Sequence, residues 1–108
     1  MPQTLIYVTA GSREEALGIG RALVESRLAA CANVLAGTRS VYWWEGKVSE
    51  DDEVSLLLKT RDDLVGRLVD KVKEIHSYDC PCVIAVPITG GNQRFLDWID
   101  AETAEQAG

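Results

Sequence analysis

Residues 30–60 read ACANVLAGTRSVYWWEGKVSEDDEVSLLLKT, and how this stretch is read decides the fold. It is rich in Val, Tyr, Trp and Leu and is punctuated by Gly37 and Gly46. β-Branched and aromatic residues broken by turn formers read as a long β-hairpin. The polar run SEDDE (Ser49–Glu53) is the expected turn, EGK (Glu45–Lys47) is the alternative, and the register stays open. On the N-terminal side, TLIYVTA (Thr4–Ala10) is a short, nearly continuous apolar run of the kind a covered strand shows. GSREE then reads as a helix start, with Ser12 as cap and Glu15 completing a capping box. Leu17, Gly20, Val24 and Leu28 follow at helical spacing.

On the C-terminal side, Thr60 or Asp62 is expected to cap a second helix. Its apolar stripe is Leu64, Leu68, Val72 and Ile75, with His76 at its end. After SYD comes a second apolar strand run, CPCVIAVPI (Cys80–Ile88), in which an early proline is tolerated because a first or edge residue need not donate to the ladder. Gly90-Gly91-Asn92 breaks it, and Asn92 can cap a last helix carrying Phe95, Leu96 and Ile99. The order β-α-β-β-α-β plus a helix predicts an α+β, ferredoxin-like fold: an antiparallel sheet with helices on one face, an extended β-hairpin and a C-terminal helix. At 108 residues it forms a single domain, residues 1–108.

Strand and helix lengths do not match. Helices of about 15 residues span about 22 Å, whereas hairpin arms of about 13–15 residues exceed roughly 40 Å. The overhang carries VYWWE, whose adjacent tryptophans point to opposite faces of a strand. Long uncovered edges beside large aromatics pair or aggregate. The arms are therefore expected to be buried against other copies of the chain in a closed homo-oligomer.

The formal net charge is −6, from 11 Lys and Arg against 17 Asp and Glu. Without a basic stripe the chain lacks the electrostatic footprint that holds a phosphate backbone, which argues against nucleic acid, while cations are attracted. MPQTLIYVTAGSREE has neither a positive n-region nor a long apolar segment, and no run approaches the roughly 20 apolar residues of a membrane helix. A cytoplasmic, membrane-free setting is expected. An odd cysteine count (Cys31, Cys80, Cys82) argues against a disulfide framework.

The sharpest local signal is HSYDCPC (76–82). In an extended strand Cys80 and Cys82 point to one face, about 6.6 Å apart at the backbone. Thiolates suit Cu(I) or Zn(II), and the His76 imidazole is a candidate third ligand. A closed zinc site needs a fourth, from Asp79, water or another subunit. The alternative is a pair of strand cysteines with a buried or incidental role. His76 is placed at a helix C-terminus, near Tyr78 and a carboxylate such as Asp79 or Glu45, where it binds a metal or anion or else caps the last carbonyls. Cys31 is expected in the core. Tyr42, Glu45, Lys47 and Lys59 are either interchain and rim contacts or, with His76 and Tyr78, the lining of an inter-subunit cleft. Trp43 and Trp44 read as packing. SEDDE lacks the spacing of a calcium loop and reads as a solvated turn. No nucleophile triad, phosphate loop or paired acid/base motif is visible, so no enzyme is expected.

SVYWWEGKVSEDDEVSLLLKT, with RLAACANVLAG before it and HSYDCPCVIAVPI and FLDWI after it, closely resembles the CutA family of divalent-cation tolerance proteins, in order from about Thr4 to Ile99. The family's recurrent residues fall on Cys31, Asn33, Tyr42, Trp44, Glu45, Gly46, Lys47, Lys59, Thr60, His76, Tyr78, Pro81 and Trp98. The resemblance implies a compact homotrimer with strands pairing across subunits, and a link to tolerance of copper or other divalent ions. Where the family usually reads His-Pro-Tyr-Glu-x-Pro-Glu, this chain has Ser77, Asp79, Cys80 and Cys82. Ile75 replaces the first member of a His-His pair found in some members, and Val8 a strand-1 cysteine proposed to bind copper, so His76 alone remains of that set. The expected metal ligands are His76, Cys80 and Cys82, and the expected cleft or inter-subunit residues are Tyr42, Trp44, Glu45, Lys47, Lys59 and Tyr78. The leading expectation is a non-catalytic trimeric metal-binding protein. The alternative is a trimeric signalling or scaffold module holding a small ligand between subunits.

Overall fold

β1 (Gln3–Ala10) lies inside a four-stranded antiparallel sheet of order β2-β3-β1-β4, flanked by β3 (Lys47–Arg61) and β4 (Val83–Ile88), with β2 (Cys31–Trp44) on the far edge. The computed structural model describes residues 2–104. α1 (Arg13–Glu25), α2 (Val65–Ile75) and α3 (Gln93–Thr103) complete the expected order, with a 3-10 turn at Asp62–Leu64 before α2.

The core is the layer between the sheet and α1 and α2. Alternate strand residues Ile6, Val8, Leu56 and Leu58 meet Ala16, Ile19, Leu23, Leu68 and Val72. The buried stripe of α1 is thus Ala16, Ile19, Gly20 and Leu23. Of the residues expected on it, Gly20 and Leu28 are buried, Val24 is partly buried against the core, and Leu17 lies beside it, lining with Val24 an open apolar groove against β2. α3 packs on the opposite face of the sheet from α1 and α2: Gln3 donates to Asp100 at 3.1 Å, and the Lys59 ammonium lies 5.9 Å from the Phe95 ring. Both residues alternate with buried Thr4 and Leu58 and so project away from the α1 side. Helices therefore occupy both faces, not one. Arg27, in a left-handed conformation (φ 64°), ties the end of α1 to that of α3 by donating to the Glu102 carbonyl at 3.1 Å and carboxylate at 2.8 Å.

The hairpin turns at Glu45–Gly46, not at SEDDE. Both residues have positive φ (49° and 77°), the requirement of a two-residue turn whose twist matches its strands. Trp44 pairs with Lys47, and Ser49–Glu53 run inside β3 opposite Thr38–Tyr42. The acidic run is polar because this part of the strand is solvated. Between the pairs Leu35–Ser55 and Thr38–Glu53, β2 advances three residues and β3 two, a bulge carrying Gly37 at φ 88°. Beyond it Thr38, Ser40, Tyr42 and Trp44 share a face with Glu53, Asp51, Ser49 and Lys47. β1 pairs only with Val54–Arg61 of β3, so the rest of the ribbon projects from the domain, whose extents are 47 × 30 × 22 Å. Trp43 and Trp44 are 75% and 62% exposed in the single chain.

Neither expected cap holds α2. The Thr60 hydroxyl donates to the Leu28 carbonyl at 2.7 Å, and the Asp62 carboxylate accepts from Thr4 at 3.5 Å. Helix entry runs instead through the 3-10 turn, with Leu64 at the cap position and no side-chain bond. Asn92 does cap α3, accepting from the Arg94 amide at 3.1 Å.

Candidate functional site

The polar residues gather where β1 stops and the hairpin continues, at the junction of the α1 N-terminus and the α2 C-terminus. Ser12 caps α1 by accepting from the Glu15 amide at 3.1 Å. The Glu15 carboxylate takes the Gly11 amide at 3.4 Å on one oxygen and, on the other, the Ser77 amide at 2.8 Å. The capping glutamate therefore also fastens the segment leaving α2. Partial burial raises the Glu15 carboxyl, but the bonds from Ser77 and Gly11 outweigh it and hold the group below its ordinary value.

His76 is the C-cap of α2, its amide donating to the Val72 carbonyl at 2.8 Å. Its side chain is fully buried. Nε2 lies 2.8 Å from the Thr9 carbonyl, so it carries the proton, and Nδ1 accepts from the Tyr78 amide at 3.0 Å. Both ring nitrogens are thus occupied in joining α2 to β1 and shaping the following turn. The carboxylate beside the ring is Glu15, 3.8 Å from Nδ1, rather than Asp79 or Glu45.

The Tyr78 ring packs 4.7 Å from the imidazole, and its hydroxyl donates to Glu53 at 2.9 Å at the root of the ribbon. Burial and then the Glu53 carboxylate push the phenol up to about 12. Further out on the ribbon Tyr42 donates to Asp51, which raises the Tyr42 phenol too. Three carboxylates and two phenols thus run from the junction onto one face of the arm.

Cys80 and Cys82 precede β4, which begins at Val83, and both are exposed free thiols, so they are not buried strand cysteines. Among the described residues no group of three or more His, Cys, Asp and Glu is placed to hold a metal ion. His76 is turned inward while the two thiols face out, and the structure does not bring the three together. Cys31 is half-buried rather than in the core, on the wall of the α1–β2 groove with Leu17, Gly20, Val24 and Val34, a concavity of about 470 Å³ that shares no residue with the His76 junction. Tyr42, Trp44, Glu45 and Lys47 cluster at the hairpin tip. Lys59 lies at the other end of β3 over Phe95, so one chain does not gather the expected cleft residues. Sequence reading missed Glu15 as the partner of Ser77 and His76. Its one signal was the capping box, which accounts for the residue locally and hides its reach.

A family model described as CutA1 divalent ion tolerance protein matches residues 4–102. The divalent-cation tolerance protein CutA of Archaeoglobus fulgidus is 47% identical over 100 residues, covering 93% of this chain and 96% of its own. The chloroplastic protein CutA 1 of Oryza sativa is 44% identical over 105 residues, which is 97% of this chain and 59% of its own. The chloroplastic protein CutA of Arabidopsis thaliana is 44% identical over 95% of this chain, so the chain spans under two thirds of these plant relatives, 57% in the latter case. The crystal structure of CutA1 from Oryza sativa superposes with a TM-score of 0.94 at 43% identity, covering 98% of this chain and 97% of that one. Among the described residues, no helix is long and apolar enough to cross a membrane.

Proposed function

This chain belongs to the CutA1 family of divalent ion tolerance proteins, and on that premise we propose that it acts as a non-catalytic homotrimer binding divalent or soft metal ions, copper among them. The observation that carries the reading is the nearly end-to-end match to a relative named for divalent-cation tolerance. The chemistry of the donors favours Cys80 and Cys82 as the place of contact, because exposed thiols suit Cu(I) and Zn(II) and both imidazole nitrogens of His76 are hydrogen-bonded. Further ligands then come from water, Asp79 or a second subunit. Trimerisation accounts for the exposed Trp43 and Trp44, since a solitary ribbon leaves them in water. Free thiols support a reducing compartment such as the cytoplasm.

Calorimetry with Cu(I), Cu(II) and Zn(II) tests this on the wild type and the Cys80→Ser/Cys82→Ser variant. Binding by the wild type that the variant loses supports it. Binding unchanged by the substitutions removes the cysteines from the site, and no binding by the wild type overturns the metal reading.

A second reading is a trimeric signalling or scaffold module with a small ligand between subunits. It is favoured by the placement of Tyr42, Trp44 and Lys47 on one face of the arm, a mixed aromatic and charged surface. Under it, Lys59, Glu45 and Tyr78 complete the cleft from neighbouring copies.

A further inference from the structure

We propose that Cys80 and Cys82 form a redox-active dithiol, closing to an intramolecular disulfide by exchange with a low-molecular-weight disulfide. Both thiols are exposed and free, and they lie in the irregular segment between α2 and β4. Pro81, the residue between them, sets its own φ at about −65°, close to that of polyproline backbone. Two residues of such backbone advance about 6.2–6.6 Å. That lies near the upper limit of the roughly 4.4–6.8 Å that a disulfide spans, so the bridge forms under strain and is readily reduced again, as labile bridges are.

The surroundings restrict the thiols to each other. Upstream, Glu15 and His76 hold the Ser77 and Tyr78 amides, and Glu53 holds the Tyr78 hydroxyl. Downstream, Val83 pairs with Val8 as β4 begins. The third thiol, Cys31, starts β2, and the order β2-β3-β1-β4 puts that strand on the opposite edge of the sheet, three spacings or about 14 Å from β4. Within one chain, Cys80 and Cys82 have no other thiol in reach.

The exchange takes two steps. One protein thiolate attacks a sulfur of the small disulfide, forming a mixed disulfide and expelling one small thiolate. The neighbouring protein thiolate then attacks the protein sulfur of that mixed disulfide and expels the second. The two protons leaving the protein thiols end on the two released small thiols, so the protein dithiol is oxidised as the small disulfide is reduced. This requires no metal and stands apart from the metal reading. Where both hold, oxidation withdraws both thiolates from a bound cation.

The test uses the full chain carrying Cys31→Ser, with a chelator present, equilibrated in mixtures of oxidised and reduced glutathione, then alkylated and weighed by mass spectrometry. The expected product is a chain lighter by two hydrogens, unalkylated at both positions and restored by reduced glutathione. Adding Cys80→Ser or Cys82→Ser leaves one thiol, which carries a glutathione adduct at about tenfold or higher occupancy than the dithiol chain, because the second thiol acts at an effective concentration of about millimolar or more. A persistent adduct on the dithiol chain, a disulfide between chains, or thiols still alkylated in the most oxidising mixture each overturn the proposal.

Discussion

Replacing His76 by leucine separates a structural imidazole from a metal-binding one. Leucine fills similar space, so the cost lies in the two hydrogen bonds rather than in a cavity. The Thr9 carbonyl loses its donor at 2.8 Å and the Tyr78 amide its acceptor at 3.0 Å. An unsatisfied buried backbone group costs about 1–3 kcal/mol. Thr9 is buried and Tyr78 partly exposed, so the first loss sits near the middle of that range and the second at its lower end, about 3 kcal/mol together. With a urea m-value near 2 kcal/mol/M for a chain of this size, the unfolding midpoint falls by about 1.5 M. Both proteins are compared at one concentration, because assembly would add its own concentration dependence. His76→Gln, which can donate toward Thr9, should recover part of the loss. Metal binding by the folded variant should match the wild type. A midpoint unmoved by the substitution, or metal binding lost while stability is kept, would refute the structural role.

Three further outcomes are expected. Glu15 sits below its ordinary value in the folded chain, so its contribution is present above the unfolded carboxylate pKa of about 4.5 and lost as the pH falls through the folded value; Glu15→Gln should flatten the acid limb of a urea-midpoint profile. Tyr78 keeps its proton up to about 12, so a late phenol should appear in ultraviolet titration, and its stabilising contribution, intact below about 10, should fade as the pH rises toward 12. Glu53→Gln should bring that late transition down. Trp43→Lys/Trp44→Lys should turn a trimer into monomers in sedimentation equilibrium with unchanged far-ultraviolet circular dichroism, and a monomeric wild type would refute the assembly.

Element order, sheet direction and the projecting ribbon were legible because strand and helix periods differ sharply, with Gly90-Gly91-Asn92 marking the change from β4 to α3 and Gly46 the turn between two strands. The turn was harder. SEDDE carries the composition of a turn, while Glu45–Gly46 carries its φ values, and composition cannot separate a solvated strand from a loop. On α1 the apolar residues run wide enough to define two neighbouring stripes, and only packing against the sheet and α2 buries Ala16, Ile19 and Leu23 more fully than Leu17 and Val24. Thr60 and Asp62 are good capping residues that tertiary partners, Leu28 and Thr4, claim instead. His76 was legible as a helix end. Its ligands were not, because Thr9 and Glu15 lie more than sixty residues away and carry no signal at short range.

The interior place of β1 bears on how the chain leaves the ribosome. Its register pairs Gln3 with Arg61 on one side and with Ile88 on the other, so the first strand made waits for the last. The β2–β3 ribbon needs only its own tight turn and can zip locally, whereas the second edge of β1 stays open for another 78 residues of synthesis, from Ala10 to Ile88. At about 5–20 residues per second that is roughly 4–16 s. Through that interval the nascent chain presents an unpaired apolar edge bearing Ile6 and Val8. A product truncated before Val83 keeps that edge open permanently, and it is the form that would call on a chaperone or aggregate.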